Sequence, residues 1–356
     1  ILIKLDILGH DNPTSIRMLE DTIEGLDALK IPLDDPETMA LFCNTKSLGV
    51  TPEQLRGCQV GTLGIPEFGT FFVRQMLVDT MPTTMAELIR ISGLSHGTDV
   101  WVGNAQDLIR DGVATLSQTI CTRDDIMNYL VRCGVEQRLA FFTMESVRKG
   151  KGLTEEMEQA MHDANVPQWF IDSCKKIKYM FPKAHAVAYV VMAFRIAYCK
   201  VHHKEAFYAT YFSIKADEFD ASYVLEGQEG ILKNLEKLEA KGPTATANEK
   251  NMITLLELAN EMYQRGVQFL PVDLKKSKAK RFTVEDGNIR LPFVSVPKLG
   301  EKAAIKMEEE REKGEFISIE DLKNRTKISS AVIEAMEQMG TLVGLGASNQ
   351  ISLFDV

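Results

Sequence analysis

Residues 173–203 carry six Lys or Arg side chains and no Asp or Glu, in a chain whose formal net charge is −9. Lys175, Lys176, Lys178 and Lys183 are interleaved with Tyr179, Met180 and Phe181, and Pro182 stops the backbone just before Lys183-Ala184-His185. Cations at the start of a helix, where free N–H groups and the positive dipole end favour an anion, suit a phosphate-rich ligand. The alternative is a solvated basic face. A second cluster, Arg148-Lys149-Gly150-Lys151-Gly152, places three cations within four residues at the end of an amphipathic segment. Helix capping explains a basic residue and a Gly there, and phosphate contact explains all three charges. Gly93-Leu94-Ser95-His96-Gly97-Thr98 reads as a small polar loop. It is either a ligand-facing set of N–H groups, with Ser95 and His96 beside them, or an ordinary turn between helices. No Gly-x-x-x-x-Gly-Lys-Ser/Thr motif occurs.

Two further groups carry chemistry. Residues 1–8 alternate with period two, so Ile1, Ile3, Leu5 and Ile7 share an aliphatic face and Lys4 and Asp6 lie opposite. Asp6 is either a solvated strand carboxylate or, beside a triphosphate, a ligand for Mg²⁺. Near the other end, Val296-Pro297-Lys298-Leu299-Gly300-Glu301-Lys302 is a tight turn between helical segments, either plain or of helix-hairpin-helix type. The latter grips a nucleic-acid phosphate through backbone N–H groups, with Lys298, Gly300 and Lys302 at the contact. A weaker copy runs through Lys327-Ile328-Ser329-Ser330, and Lys275, Lys276, Lys278 and Arg281 form a third basic cluster.

The elements that must hold these groups are mostly helical. Residues 186–201, apolar around the whole wheel apart from Arg195 and Lys200, predict a helix buried on all sides. At 16 residues it is too short for a bilayer, which needs ~20. Asn12-Pro13, Asp35-Pro36 and Thr51-Pro52-Glu53-Gln54 are helix starts, the last with capping-box spacing. Further helices are expected over 70–79, 85–92, 124–133, 138–147, 225–241 and 249–265. Asp286-Gly287-Asn288 between short β-prone runs predicts a hairpin. With 356 residues the chain suits two or three domains, and its start at Ile1 suggests the C-terminal part of something larger. Its six cysteines are far apart without a Cys-x-x-Cys pair, which speaks against structural zinc or disulfides and for a reducing cytoplasm. Net acidity does not exclude nucleic acid, because local potential decides binding.

Lys4-Leu5-Asp6-Ile7-Leu8-Gly9-His10, Ser92-Gly93-Leu94-Ser95-His96-Gly97, Val147-Arg148-Lys149-Gly150-Lys151-Gly152 and Lys178-Tyr179-Met180-Phe181-Pro182-Lys183-Ala184-His185-Ala186 stand in that order in the chain. With Leu270-Pro271-Val272-Asp273 and the terminal Gln350-Ile351-Ser352-Leu353-Phe354, they resemble the bacterial replicative DNA polymerase III alpha subunit of the Gram-positive PolC type. The resemblance implies a mainly α multidomain fragment with minor β. Residues 1–30 would end a polymerase-beta-like nucleotidyltransferase palm, with Asp6 a catalytic ligand of Mg²⁺. Residues 31–222 would be the fingers, where Ser95, His96, Arg148, Lys149, Lys151, Lys183 and His185 meet the dNTP. Residues 223–346 would form a duplex-binding domain with tandem helix-hairpin-helix motifs, contacting primer-template DNA through Lys275, Lys276, Lys278, Arg281, Lys298, Gly300 and Lys302. Residues 347–356 would be a tail binding the sliding clamp through Gln350, Ile351, Ser352, Leu353 and Phe354. Other replisome subunits are expected partners, a membrane is not, and the location is cytoplasmic. This sequence departs from the family pattern at Lys298, where Gly is usual, and at Ile351, where Leu is usual. A non-catalytic DNA- and clamp-binding module is the competing reading, and a different nucleotidyltransferase a third.

Overall fold

The computed structural model describes residues 9–348, so the strand expected over 1–8 with Asp6, and the terminal peptide from Gln350 to Phe354, lie outside the described residues. The fold is mainly helical. In chain order the helices are α1 (Asn12–Thr22), α2 (Pro36–Ala40), α3 (Phe71–Thr80), α4 (Met85–His96), α5 (Gln106–Arg110), α6 (Arg123–Arg132), α7 (Gln137–Arg148) and α8 (Glu155–Asp163). They continue with α9 (Gln168–Lys176), α10 (Lys183–His202), α11 (Lys204–Ile214), α12 (Gly227–Glu239), α13 (Ala247–Gln264), α14 (Glu301–Glu312), α15 (Ile319–Thr326) and α16 (Ser330–Gln338). Three short strands, β1 (Phe269–Leu270), β2 (Thr283–Glu285) and β3 (Asn288–Arg290), form one sheet of order β1-β3-β2.

The chain divides into two compact units. One comprises Leu29–Ser47 and Cys58–Tyr198, the other residues up to Ala28, Leu48–Gly57 and those from Cys199 onward. The division falls inside α10, whereas the fingers expected from the sequence run to residue 222.

In the first unit the interior is aromatic. Phe42 meets Phe68 edge-to-face at 5.0 Å and stacks on Phe194 of α10 at 6.1 Å. Helix α10 is not buried on all sides: Ala186, Val190, Ala193, Phe194 and Ala197 are inside, while Lys183, Ala184 and Ala188 are exposed and Val187, Val191 and Arg195 half-buried. Ala184 and Ala188, which help the wheel look uniformly apolar, lie on the outward side, whereas Ala186, Ala193 and Ala197 pack in the core. The helix has 20 residues, enough in length and composition to cross a membrane. Lys200, near its end, is wholly buried and ion-paired with Glu261.

Helix α4 runs through His96, and the polar loop expected at 93–98 is therefore its last turn. Gly93 sits in mid-helix because a Cβ there would lie 2.7 Å from Cys121 O and 2.8 Å from Thr122 Cγ2. An exposed Gly-to-Ala change in a helix gains roughly 0.5–1 kcal/mol. Gly93→Ala is expected to do the opposite, lowering stability by about 1–3 kcal/mol through overpacking against a backbone that cannot yield. The sign of the shift in urea midpoint decides between the two.

In the second unit Phe212, Phe219, Phe269 and Phe282 make one ring cluster, with centroid separations of 5.0–6.2 Å, between α11 and the sheet. The hairpin is as the sequence predicts: Asp286 and Gly287 take φ of 50° and 75°, the pair of left-handed residues that a two-residue turn needs. Thr51 and Gln54 exchange the capping-box bonds, Gln54 Oε1 accepting from Thr51 N at 2.8 Å and Thr51 Oγ1 from Gln54 N at 3.4 Å. No helix follows, since Arg56 and Gly57 both turn to positive φ, 57° and 89°. Helix α1 starts one residue earlier than expected, with Asp11 at the cap.

Candidate nucleotide and nucleic-acid interface

The three basic or polar motifs of the first unit meet. Thr98, two residues past α4, pairs with the lead-in to α10: its N–H donates to Tyr179 O at 2.9 Å, and Lys178 N–H donates to Thr98 O at 3.0 Å. The loop after α7 closes on the same lead-in at Gly150, where a Cβ would fall 2.5 Å from Lys178 O. Helix α6 completes the ring, its Arg123 N–H donating to Phe181 O at 3.2 Å. Segments separated by about fifty and thirty residues thus converge without any one of them signalling it alone.

The charges around this junction are unevenly matched. Arg148 grips Glu145 with two bonds of 2.8 Å, Lys149 reaches the same carboxylate at 2.9 Å, and Arg123 stands 3.7 Å away. The bonds from Arg148 chiefly hold the Glu145 carboxyl down at about 2. One carboxylate therefore orients three cations and neutralises only one charge. Lys151, Lys178 and Lys183 are exposed, with no side-chain partner among the described residues. The N-terminus of α10 was expected to attract a ligand's anion; Asp124 Oδ2 already accepts from Lys183 N at 2.7 Å. That carboxylate takes up one of the free N–H groups of the first turn and already places a negative charge at the dipole end.

Beside the cations lies an aromatic floor. His185 stacks on Phe181 at 4.8 Å and meets Tyr189 at 4.3 Å, while Tyr179 and His96 approach Phe181 edge-on at 5.3 and 5.6 Å. The Ser95 hydroxyl lies 3.0 Å from Ser92 O, within its own helix, and 3.1 Å from His96 Nδ1. The structure thus brings together the segments that carry Ser95 and His96, Arg148, Lys149 and Lys151, and Lys183 and His185, with His96 and His185 in ring contact at 6.3 Å. Sequence reasoning missed Glu67, Arg123, Asp124 and Glu145, carboxylates and a cation on other segments whose roles exist only in three dimensions. Glu67 left one faint signal, an acid between Pro66 and Phe68 in a turn where it takes φ of 67°.

The basic cluster of the second unit is not separate from acids, as its sequence suggests. Lys275 pairs with Glu315 at 2.7 Å, Lys276 with Glu285 at 2.5 Å and Lys278 with Glu308 at 3.0 Å, and Arg281 donates to Thr22 Oγ1 at 3.2 Å. Glu308 and Glu315 come from segments thirty and forty residues away, and Glu285 and Glu308 are shared with Arg290 and Arg311, so the run of lysines is partly compensated in space rather than bare.

The hairpins are clearer. Lys298 adopts φ of 67°, the left-handed conformation for which Gly is the usual residue, so the turn is kept despite the side chain. Leu299 is buried behind it, and Gly300, with φ −74° and ψ 158°, caps α14. The second turn repeats this residue for residue: Lys327 at φ 60°, buried Ile328, then Ser329 at φ −74° and ψ 158° capping α16. The copy that looks weaker in sequence has two regular helices, whereas before Lys298 there is only a 3₁₀ turn, Phe293–Ser295. Lys298→Gly is expected to raise stability by about 1 kcal/mol by relieving left-handed strain. It should also reduce the salt slope of DNA binding by about one charge. A stability loss would show that the Lys298 side chain holds the turn.

Among the described residues no group of three or more His, Cys, Asp or Glu could hold a metal ion, and Asp6 is outside them, so no metal set can be built from the residues described.

Residues 12–166 match the family of the bacterial DNA polymerase III alpha subunit finger domain, and residues 266–351 match the helix-hairpin-helix motif. Among curated proteins, the chain is 58% identical over 353 residues to the PolC-type DNA polymerase III of Caldanaerobacter subterraneus subsp. tengcongensis, covering 99% of this chain and 25% of that protein. It is 57% identical to the PolC-type DNA polymerase III of Bacillus subtilis and 55% to that of Clostridium perfringens, in each case over 99% of this chain and 24% of the relative. The chain spans about a quarter of the length of the curated relatives it matches.

Proposed function

We propose, from the premise that this chain belongs to the PolC-type DNA polymerase III family, that it supplies the nucleotide-binding and duplex-binding parts of a replicative DNA polymerase. The observation that carries the reading is the junction of α4, the loop after α7 and the lead-in to α10, where unmatched cations border an aromatic floor. In this reading residues 31–222 are fingers. Lys149, Lys151, Lys178 and Lys183 neutralise the triphosphate of an incoming dNTP, each charged hydrogen bond contributing roughly 1.5–3 kcal/mol. Arg148, fixed by Glu145, presents a guanidinium whose position is set before the nucleotide arrives. Phe181 and His185 offer flat surface to a base or sugar.

Residues 223–346 then hold primer-template DNA. The N–H groups opening α14 and α16 face the phosphates and read no sequence, which suits an enzyme that must copy any template. Gln350, Ile351, Ser352, Leu353 and Phe354 form the attachment to a sliding clamp, weak alone and effective because tethering raises the local template concentration. Asp6 is the chain's contribution to holding Mg²⁺, which would activate the primer hydroxyl and stabilise pyrophosphate as it leaves. The rest of that metal site, the other replisome contacts and the cytoplasmic setting belong to the longer polypeptide.

Primer extension by the longer polypeptide, with primer-template binding measured in parallel, tests the reading. Asp6→Asn is expected to abolish extension and spare binding, and Lys183→Ala to raise KM for dNTP about tenfold with little change in duplex affinity. Extension that survives Asp6→Asn would remove Asp6 from the active site. Wild-type polypeptide that binds DNA and the clamp but never extends a primer would favour a non-catalytic module.

A further inference from the structure

His96 has both ring nitrogens committed. Nδ1 lies 2.8 Å from Ser92 O and Nε2 lies 2.8 Å from Glu67 Oε2. A backbone carbonyl has no proton to give, and an ionised carboxylate has none either. A neutral imidazole carries one N–H; with it on Nε2, Nδ1 would accept from the Ser95 hydroxyl 3.1 Å away and stand 2.8 Å from the Ser92 carbonyl, acceptor against acceptor. Both contacts are met together when the ring is doubly protonated and positive. Glu67 Oε2 is itself buried, with no other polar partner among the described residues, so the imidazole N–H is what compensates it. His96 also stands in the last turn of α4, where the negative end of the helix dipole favours a cation.

We propose that Glu67 is a positioning residue that keeps His96 a fixed imidazolium at the nucleotide face, so that the face carries a rigid His96–Glu67 ion pair whose cationic edge, unlike a lysine or arginine head, is set in place. The inference rests on the nucleotide reading of that face for its purpose, and on geometry alone for the charge state.

The surroundings agree with the assignment. Ionisable groups facing His96 are Glu67, from the turn before α3, and His185, from α10, whose ring centre is 6.3 Å away. Tyr179, on the lead-in to α10, meets Phe181 edge-on at 5.3 Å, and Arg148, at the end of α7, is within electrostatic reach of Tyr179. The hydrogen bond that His96 donates to Glu67 raises the His96 pKa above its ordinary value; burial opposes it, and the bond to Ser92 O assists. A raised folded-state value means that the stabilising contribution is complete below the ordinary histidine pKa of about 6.5 and is lost as pH rises through the folded value. Nucleotide affinity should follow the same sign, declining as His96 loses its proton. An imidazolium between two acceptors cannot rotate away, so the phosphate meets its charge at a set distance; a lysine must be ordered first.

Two substitutions separate charge from shape. Glu67→Gln retains the length and a hydrogen bond but can donate to a neutral imidazole, and Glu67→Asp retains the charge. Histidine ring ¹⁵N shifts of the whole chain, titrated with pH, should show His96 doubly protonated at pH 7. The midpoint should drop at least tenfold in proton affinity in Glu67→Gln and recover in Glu67→Asp. A neutral His96 at pH 7 in the unsubstituted chain overturns the proposal, whatever the variants do. In the longer polypeptide, KM for dTTP should rise about tenfold in Glu67→Gln at pH 7 with kcat little changed, and wild-type KM should climb with pH through the measured midpoint. A protonated His96 with a KM indifferent to both pH and Glu67→Gln would overturn the phosphate-facing role while leaving the charge assignment intact. Failure of the polypeptide to extend primers at all would instead strike the polymerase reading, and the ¹⁵N titration would still decide the state of His96.

Discussion

Lys200→Met is expected to destabilise the unit that contains it by about 3–5 kcal/mol, and Glu261→Met, made in turn, by a similar amount. Lys200 and Glu261 are both wholly inaccessible to water, with Nζ 2.8 Å from one carboxylate oxygen and 2.9 Å from the other. Tyr208 donates to Glu261 Oε1 at 2.7 Å, and Arg265 donates to Tyr208 Oη at 3.1 Å and to Lys200 O at 2.9 Å. Lys204 closes the circuit by donating to Arg265 O at 2.8 Å. Removing one partner leaves an uncompensated charge in a medium of low polarity, which costs far more than the pair itself contributes. The double replacement by Met should therefore be milder than the sum of the singles, by 2 kcal/mol or more on the scale of coupled neighbours. Urea unfolding of the four proteins checks it. If the singles lose less than 1 kcal/mol, or the double loses their sum, water reaches the pair and the network is not a closed one.

That network also shows what the sequence conceals. Lys200 reads as an interruption of an apolar helix, and Glu261 as one more charge on an amphipathic one; sixty-one residues separate them. Nothing in the periodicity of α10 or α13 says that these two side chains neutralise each other inside the core. Local devices were readable because their causes are local: Asp35 capping α2 and Asp286-Gly287 setting the hairpin. Gly93 misled because a helix-breaking residue in sequence is, in space, a helix residue made small for a neighbouring backbone. The lysines from 275 to 278 misled in the same way, since their acids arrive from segments up to forty residues distant. For the candidate site, the cations themselves were legible as unusual local densities of charge. Their orientation by Glu145, and the capping of α10 by Asp124, were not, because a single acid on an acidic chain carries no distinguishing mark. The left-handed Lys298 lies between these cases: the sequence flags a departure from Gly, and only the backbone shows that the turn survives it.

Gly150→Ala and Gly152→Ala should part company, and the difference measures how firmly the nucleotide face is assembled. Both glycines have positive φ, 69° and 72°, so either Ala incurs the left-handed penalty of about 1–2 kcal/mol. At Gly152 a Cβ meets nothing within 4 Å. At Gly150 it would lie 2.5 Å from Lys178 O and 3.1 Å from both Lys178 C and Lys178 Cα, a backbone that is itself tied to Thr98. The loop carrying Arg148, Lys149 and Lys151 must then separate from the lead-in to α10, adding about 1–3 kcal/mol of overpacking to the common strain. Stability should fall by about 2–5 kcal/mol for Gly150→Ala and by no more than 2 for Gly152→Ala. In the longer polypeptide only the former should raise KM for dNTP strongly, by a hundredfold if the cations move about 1 Å from the phosphates. Equal effects of the two substitutions would mean that the loop and the lead-in adjust independently, and that the cations of residues 148–151 do not act on the same ligand as Lys183.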